Sequence, residues 1–145
     1  MKKILAILMF VAVLGLVMGC ASAAVDLTDH DFDGHFSMKV PKNVTFKLTN
    51  SSDGLLSDGD TYYDSVNNLT IVYVMDADVN DSLVEKTVKE LKDHGADVSK
   101  KDNLNLIDAH GLNVILFQKD MELLMIQSTG LDMNTLTTMA QSVKF

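Results

Sequence analysis

Residues 112–128 read LNVILFQKDMELLMIQS, and this stretch decides the fold. Val114, Ile115, Leu116 and Phe117 put apolar side chains on both faces of an extended chain, and Leu123 to Ile126 do the same. A strand that is apolar on both faces has to be covered on both. The two runs are therefore expected as a hairpin at the centre of a sheet, turning at Lys119-Asp120, with the remaining elements as its cover.

The segments around this hairpin supply that cover. Phe36, Met38 and Val40 alternate with Ser37 and Lys39, the pattern of a half-buried strand that Pro41 ends or marks as an edge. Val44, Phe46 and Leu48 alternate again, and Thr49 to Asp60 is polar with two Asp-Gly pairs, the composition of a long turn. Tyr62–Val66 and Leu69–Met75 are expected as strands around an Asn67-Asn68 turn, with β-branched or aromatic Ile71–Val74 buried. A helix follows to His94, with Val84, Val88 and Leu91 on one face beside Leu83, and Gly95 after its end. Carboxylates in 76–81 suit its N-terminus, and Ser82 with Glu85 suits a capping box. Asp102–Ile107 is expected as a strand. Asp132 is placed to cap a closing helix in which Met133, Leu136, Met139, Ala140 and Val143 recur at helical spacing. The expected fold is α+β: an antiparallel sheet of about five to six strands covered by two α-helices, after an N-terminal apolar segment.

With 145 residues the chain has room for one domain. Its formal charge is -8, and every cationic side chain apart from the histidines is lysine. An acidic, arginine-free chain lacks the planar fork that grips phosphate, and nucleic acid and anionic lipid are both expected to repel it. Nucleic acid is thereby excluded as a partner.

The first 24 residues have their own logic. Lys2 and Lys3 precede an unbroken apolar run from Ile4 to Met18, and small residues follow at 19–24. This is the layout of a secretory signal peptide, with Ala21-Ser22-Ala23 as its cleavage site. Three outcomes stand in order: release of a soluble domain, lipidation at Cys20 within the lipobox-like Val17-Met18-Gly19-Cys20, and retention of Ile4–Val25 as a membrane anchor. All three place the domain outside the cytoplasm of a prokaryotic cell, secreted or attached to the outer face of its membrane. Cys20 is the sole cysteine, so no internal disulfide is expected. The division read from the sequence is 1–24 as signal peptide or anchor, 25–34 as an acidic linker, and 35–145 as a single domain, expected to be a monomer that meets the membrane only through its N-terminal segment.

Four candidate chemistries remain. Asp29, Asp31 and Asp33 followed by Gly34 match the opening D-x-D-x-D-G of a calcium loop, but the twelfth position is Val40 where the loop needs glutamate. His30 and His35 beside them fit no strong zinc spacing. A solvated acidic tether explains the same residues without a ligand and outweighs calcium. Asp108 and His110 invite a hydrolytic dyad, but neither a G-x-S-x-G elbow nor a cysteine nucleophile accompanies them. Asn43, Asn50, Asn68 and Asn80 each open an N-x-[ST] sequon, which fits an exported surface carrying glycans.

The opening FSMKVP at 36–41, the hairpin, the helix, the further antiparallel set and the closing helix ending AQSVKF at 140–145 together resemble the PsbP-like fold. The resemblance covers nearly all of the chain after the leader. It implies a small exported accessory or binding protein without an active site or cofactor, and it carries no specific functional residue onto this chain.

Overall fold

The computed structural model describes residues 25–50, 59–75 and 79–145. Nine strands and two helices follow in the order β1 (Leu27–Phe32), β2 (Phe36–Pro41), β3 (Lys47–Asn50), β4 (Gly59–Asp64), β5 (Leu69–Met75), α1 (Asp81–Asp93), β6 (Asp97–Lys101), β7 (Leu104–Ala109), β8 (Leu112–Lys119), β9 (Glu122–Ser128) and α2 (Met133–Gln141). The fold is α+β, as expected. Seven strands form one antiparallel sheet in the order β3-β4-β5-β9-β8-β7-β6, and β1 with β2 forms a separate antiparallel pair.

The hairpin of 112–128 supplies β8 and β9 within this sheet, with β5 and β7 on its flanks. Opposite residues of paired strands share a face. One face therefore carries Ile71, Ile126 and Ile115 in a row, and the other carries Val72, Met125 and Leu116. The first face lies under the β1–β2 pair and α2: Phe32, Phe36, Met38 and Val40 come down from the hairpin, and Leu136, Met139 and Ala140 from the helix. The second lies under α1, where Val84 is buried and Val88 and Leu91 are partly so. Both faces of the central strands are thus dry.

The helices stop and start where their side chains dictate. Asn80 caps α1, its Oδ1 accepting from the Leu83 amide at 2.9 Å, so Ser82 lies inside the helix and no capping box forms. Asp132 caps α2 by accepting from the Thr135 amide at 2.7 Å. Hydrogen bonding from the Thr135 side chain, and then from its amide, holds the Asp132 carboxyl below its ordinary pKa.

Several boundaries differ from the expected ones. The 25–34 stretch read as a linker contains β1: its backbone pairs with β2 from Leu27 against Pro41 to Phe32 against Phe36, and Phe32 is buried. The central turn is Asp120-Met121, one residue later, because Lys119 pairs with Glu122 and Asp120 supplies the positive φ. β4 ends at Asp64 and not at Val66, because the Asp64 carboxylate folds the next residues into a turn. Asp102 has positive φ and lies in the turn between β6 and β7, so the strand expected from Asp102 begins at Leu104. β6 itself, DVSKK, shows no apolar alternation and was not expected. It is a sheet edge, where exposed lysines discourage further pairing.

Candidate functional site

The polar side chains of this domain gather where the β1–β2 turn folds down onto the upper end of β4, β5 and β9. Asp60 and Tyr73 are opposite one another across β4 and β5, and Tyr62 lies two residues further along β4 on the same face. The turn brings Asp33 and His35 over them. The Tyr62 hydroxyl donates to Asp33 Oδ2 at 2.8 Å, and the Tyr73 hydroxyl donates to Glu122 Oε1 at 2.6 Å. The His35 ring stacks on Tyr73 with centroids 5.1 Å apart, and its Nε2 lies 3.5 Å from Asp60 Oδ2. Beneath them Phe32 stacks on Phe36 at 4.6 Å and meets Tyr62 edge-on at 4.9 Å. An aromatic floor therefore carries a rim of Asp33, Asp60 and Glu122 around one half-exposed imidazole.

The electrostatics follow from that arrangement. Burial is the largest influence on both tyrosines, and the hydrogen bonds to Asp33 and Glu122 act in the same direction, so each phenol is pushed well above its ordinary pKa. An ionised phenolate would lose its bond and face a carboxylate. A group whose folded-state pKa is raised contributes stability that is whole below its unfolded value, near 10 for tyrosine, and is lost as pH climbs through the folded value. The expected result is alkaline destabilisation beginning above about pH 10, with Tyr73→Phe flattening that limb. Urea denaturation at a series of alkaline pH values checks it.

The sequence-derived candidates are distributed differently. Asp29 and Asp31 lie on the outer face of β1, about 6.8 Å apart along the strand, whereas Asp33 turns inward to Tyr62. Lys39 Nζ lies 3.5 Å from Asp29, and Asp31 accepts from the Gly34 amide at 3.0 Å. The three carboxylates, two on the strand and Asp33 in the turn after it, are thus held by three different partners and do not wrap a common centre. Among the described residues no group of three or more His, Cys, Asp or Glu side chains is placed to hold a metal. Millimolar calcium is expected to shift the melting temperature by less than about 1 °C, since only a ligand that prefers the folded state raises it. Differential scanning calorimetry with and without chelator checks this.

Asp108 accepts from the Gly111 amide at 3.0 Å, and His110 and Gly111 both have positive φ, the signature of a type I′ hairpin turn. Asp108 lines an open hollow of about 390 Å³ with Lys92, Asp97 and Asn113, but His110 is not part of its wall. Both residues belong to the β7–β8 hairpin and its turn.

Of the sequons, Asn43 is exposed in the turn after β2 and Asn80 is the exposed cap of α1. Asn68 is committed: its amide donates to Thr129 Oγ1 and its carbonyl accepts from the Tyr63 hydroxyl at 3.2 Å. The side chain of Asn50, and all of Cys20, lie outside the described residues.

Comparison with family models, with curated proteins and with solved structures returns no match. His35, Asp60, Tyr62, Tyr73 and Glu122 were not linked by sequence reasoning. The partners are 25 to 49 residues apart and meet only because the β1–β2 turn lies across the sheet.

Proposed function

We propose that the chain is an exported, non-catalytic accessory module that binds a basic segment of another envelope component at the rim around His35. The observation that carries this reading is the constellation itself: three carboxylates, from Asp33, Asp60 and Glu122, surround an aromatic floor. Both buried tyrosine hydroxyls are already spent on carboxylates, so the cluster offers a visitor the acceptor oxygens of its carboxylates, the chemistry of ammonium recognition. The bonding of Asp108 to its own turn supports recognition over hydrolysis, and the resemblance to PsbP-like accessory proteins leans the same way. The acidic balance of the chain would draw a cationic partner in from a distance.

Titration of the full chain in detergent with a decalysine peptide tests the reading. Saturable binding is expected, weakening at least fivefold in the Asp60→Asn, Glu122→Gln double variant and weakening further with salt. His110→Ala is expected to bind as the parent does. Equal affinity of the parent and the double variant for decalysine would remove the proposal.

A further inference from the structure

The opposite end of the domain has a different character. The Lys42 amide donates to the Asp26 carbonyl at 3.1 Å, which fixes the point where the chain comes into the domain beside the loop that follows β2. That loop carries Val44 and Phe46, both half-buried, and leads to Leu48, which is 47% exposed. One oxygen of Asp64 accepts from the amides of Thr45 and Val66, so the β4–β5 turn is tied to the same place. Val66 there is 72% exposed, and Tyr63 beside it is 37% exposed. Tyr63 and Val66 therefore flank the point where the chain comes in, with Leu48 on the other face of the edge strand, while Met75, Met121 and Phe145 are exposed toward the other end. Lys42 and Lys47 are exposed among them, and Lys39 is nearby on β2.

We infer that this end of the domain rests on the surface of a lipid bilayer. The occupant follows from the chain that precedes it. Only six residues separate Cys20 from Leu27, a span of at most about 25 Å even when fully extended. A domain tethered at Cys20, or by the apolar run from Ile4 to Val25, stays within about 25 Å of the membrane, with the end that carries Asp26 and Lys42 nearest to it. The side chains at the contact are those an interface takes: aliphatic groups and a tyrosine at the headgroup level, with lysines whose stems lie on apolar surface while their ammonium groups meet lipid phosphate. The acidic rim around His35 lies at the other end of β4 and β5, where repulsion from an anionic surface turns it outward to face a partner. The inference rests on the leader being retained and extends the proposed function by giving the module an orientation.

The test uses the full chain with Cys20→Ser, reconstituted in vesicles of phosphatidylcholine and phosphatidylglycerol that carry brominated acyl chains. A fluorophore is placed at Val66→Cys or, separately, at Met121→Cys. The seven residues of β9 separate the two ends by about 23 Å. The label at 66 is expected to lose at least half its emission and the label at 121 less than a tenth. Equal quenching at both positions, with the chain still floating with the vesicles, overturns the orientation and leaves the leader reading standing. A glycan found on Asn43 by intact mass of the native protein also overturns it, because the sugar would occupy the contact. Recovery of the native chain from the medium without residues 1–24 overturns the leader reading and the orientation with it.

Discussion

Asp64→Ala is expected to lower the unfolding free energy by about 3 kcal/mol, out of the roughly 5–15 kcal/mol typical of a domain. Asp64 is only 1% exposed, and no lysine or histidine lies against it in the described contacts. Its carboxylate is satisfied by donors alone: the Asn67 amide at 3.1 Å and side chain at 2.9 Å, the Val66 amide at 3.3 Å and the Thr45 amide at 3.5 Å. Removing it leaves four donors on the partly buried side of the turn without their acceptor, and a donor stranded there costs more than its bond was worth. The damage spreads, because the turn it shapes is itself a partner. The Ser128 hydroxyl donates to the Asn67 carbonyl at 2.7 Å while accepting from the Gly130 and Leu131 amides at 2.9 Å each. A Cβ at position 130 would meet that same Asn67 oxygen at 2.6 Å, so the two loops fit only with glycine there. Asp64→Asn keeps one acceptor and is expected to lose about half as much. Equilibrium urea denaturation of the three proteins checks the order, and an alanine variant within 0.5 kcal/mol of the parent would refute it.

Little of this network was legible in the sequence, for a definite reason. Nothing local distinguishes Asp64 from the sixteen other aspartates; only the meeting of β4, the loop after β2 and the start of β5 buries it. The same holds for Tyr62 with Asp33 and for His35 with Asp60. What was legible is whatever burial writes into a period. The doubly apolar runs of β8 and β9, the β-branched run of β5, and the faces of α1 and α2 were readable because each buries its own side chains directly against the core. Strands held mainly by backbone pairing left no such mark. In β6 only Val98 is even half-buried, and in β1 four of six residues are exposed, so DVSKK went unread and TDHD passed for a linker. A calcium-loop pattern in β1 likewise could not reveal that strand pairing sends Asp31 and Asp33 to different neighbours.

Leu124→Ala and Leu116→Ala are expected to cost about 3 kcal/mol each and nearly 6 kcal/mol together. The magnitude follows from burial: Leu124 is 0% exposed and Leu116 1%, each within a packed cluster that cannot collapse freely into the space left behind. The additivity is the sharper claim. Leu124 belongs to the cluster under the β1–β2 pair and α2, and Leu116 to the cluster under α1. They are on neighbouring strands, yet the sheet separates their side chains, so neither cavity borders the other. Residues this near in a single core would be expected to couple by 0.5 kcal/mol or more, since relaxation around one cavity changes the cost of the next. Denaturation midpoints for both single variants and the double variant, analysed with one common slope, give the coupling directly. A value below about 0.5 kcal/mol means that the central hairpin divides two cores, as its doubly apolar sequence requires. A larger one means that the two layers repack as a unit, and the sheet is then no barrier between them.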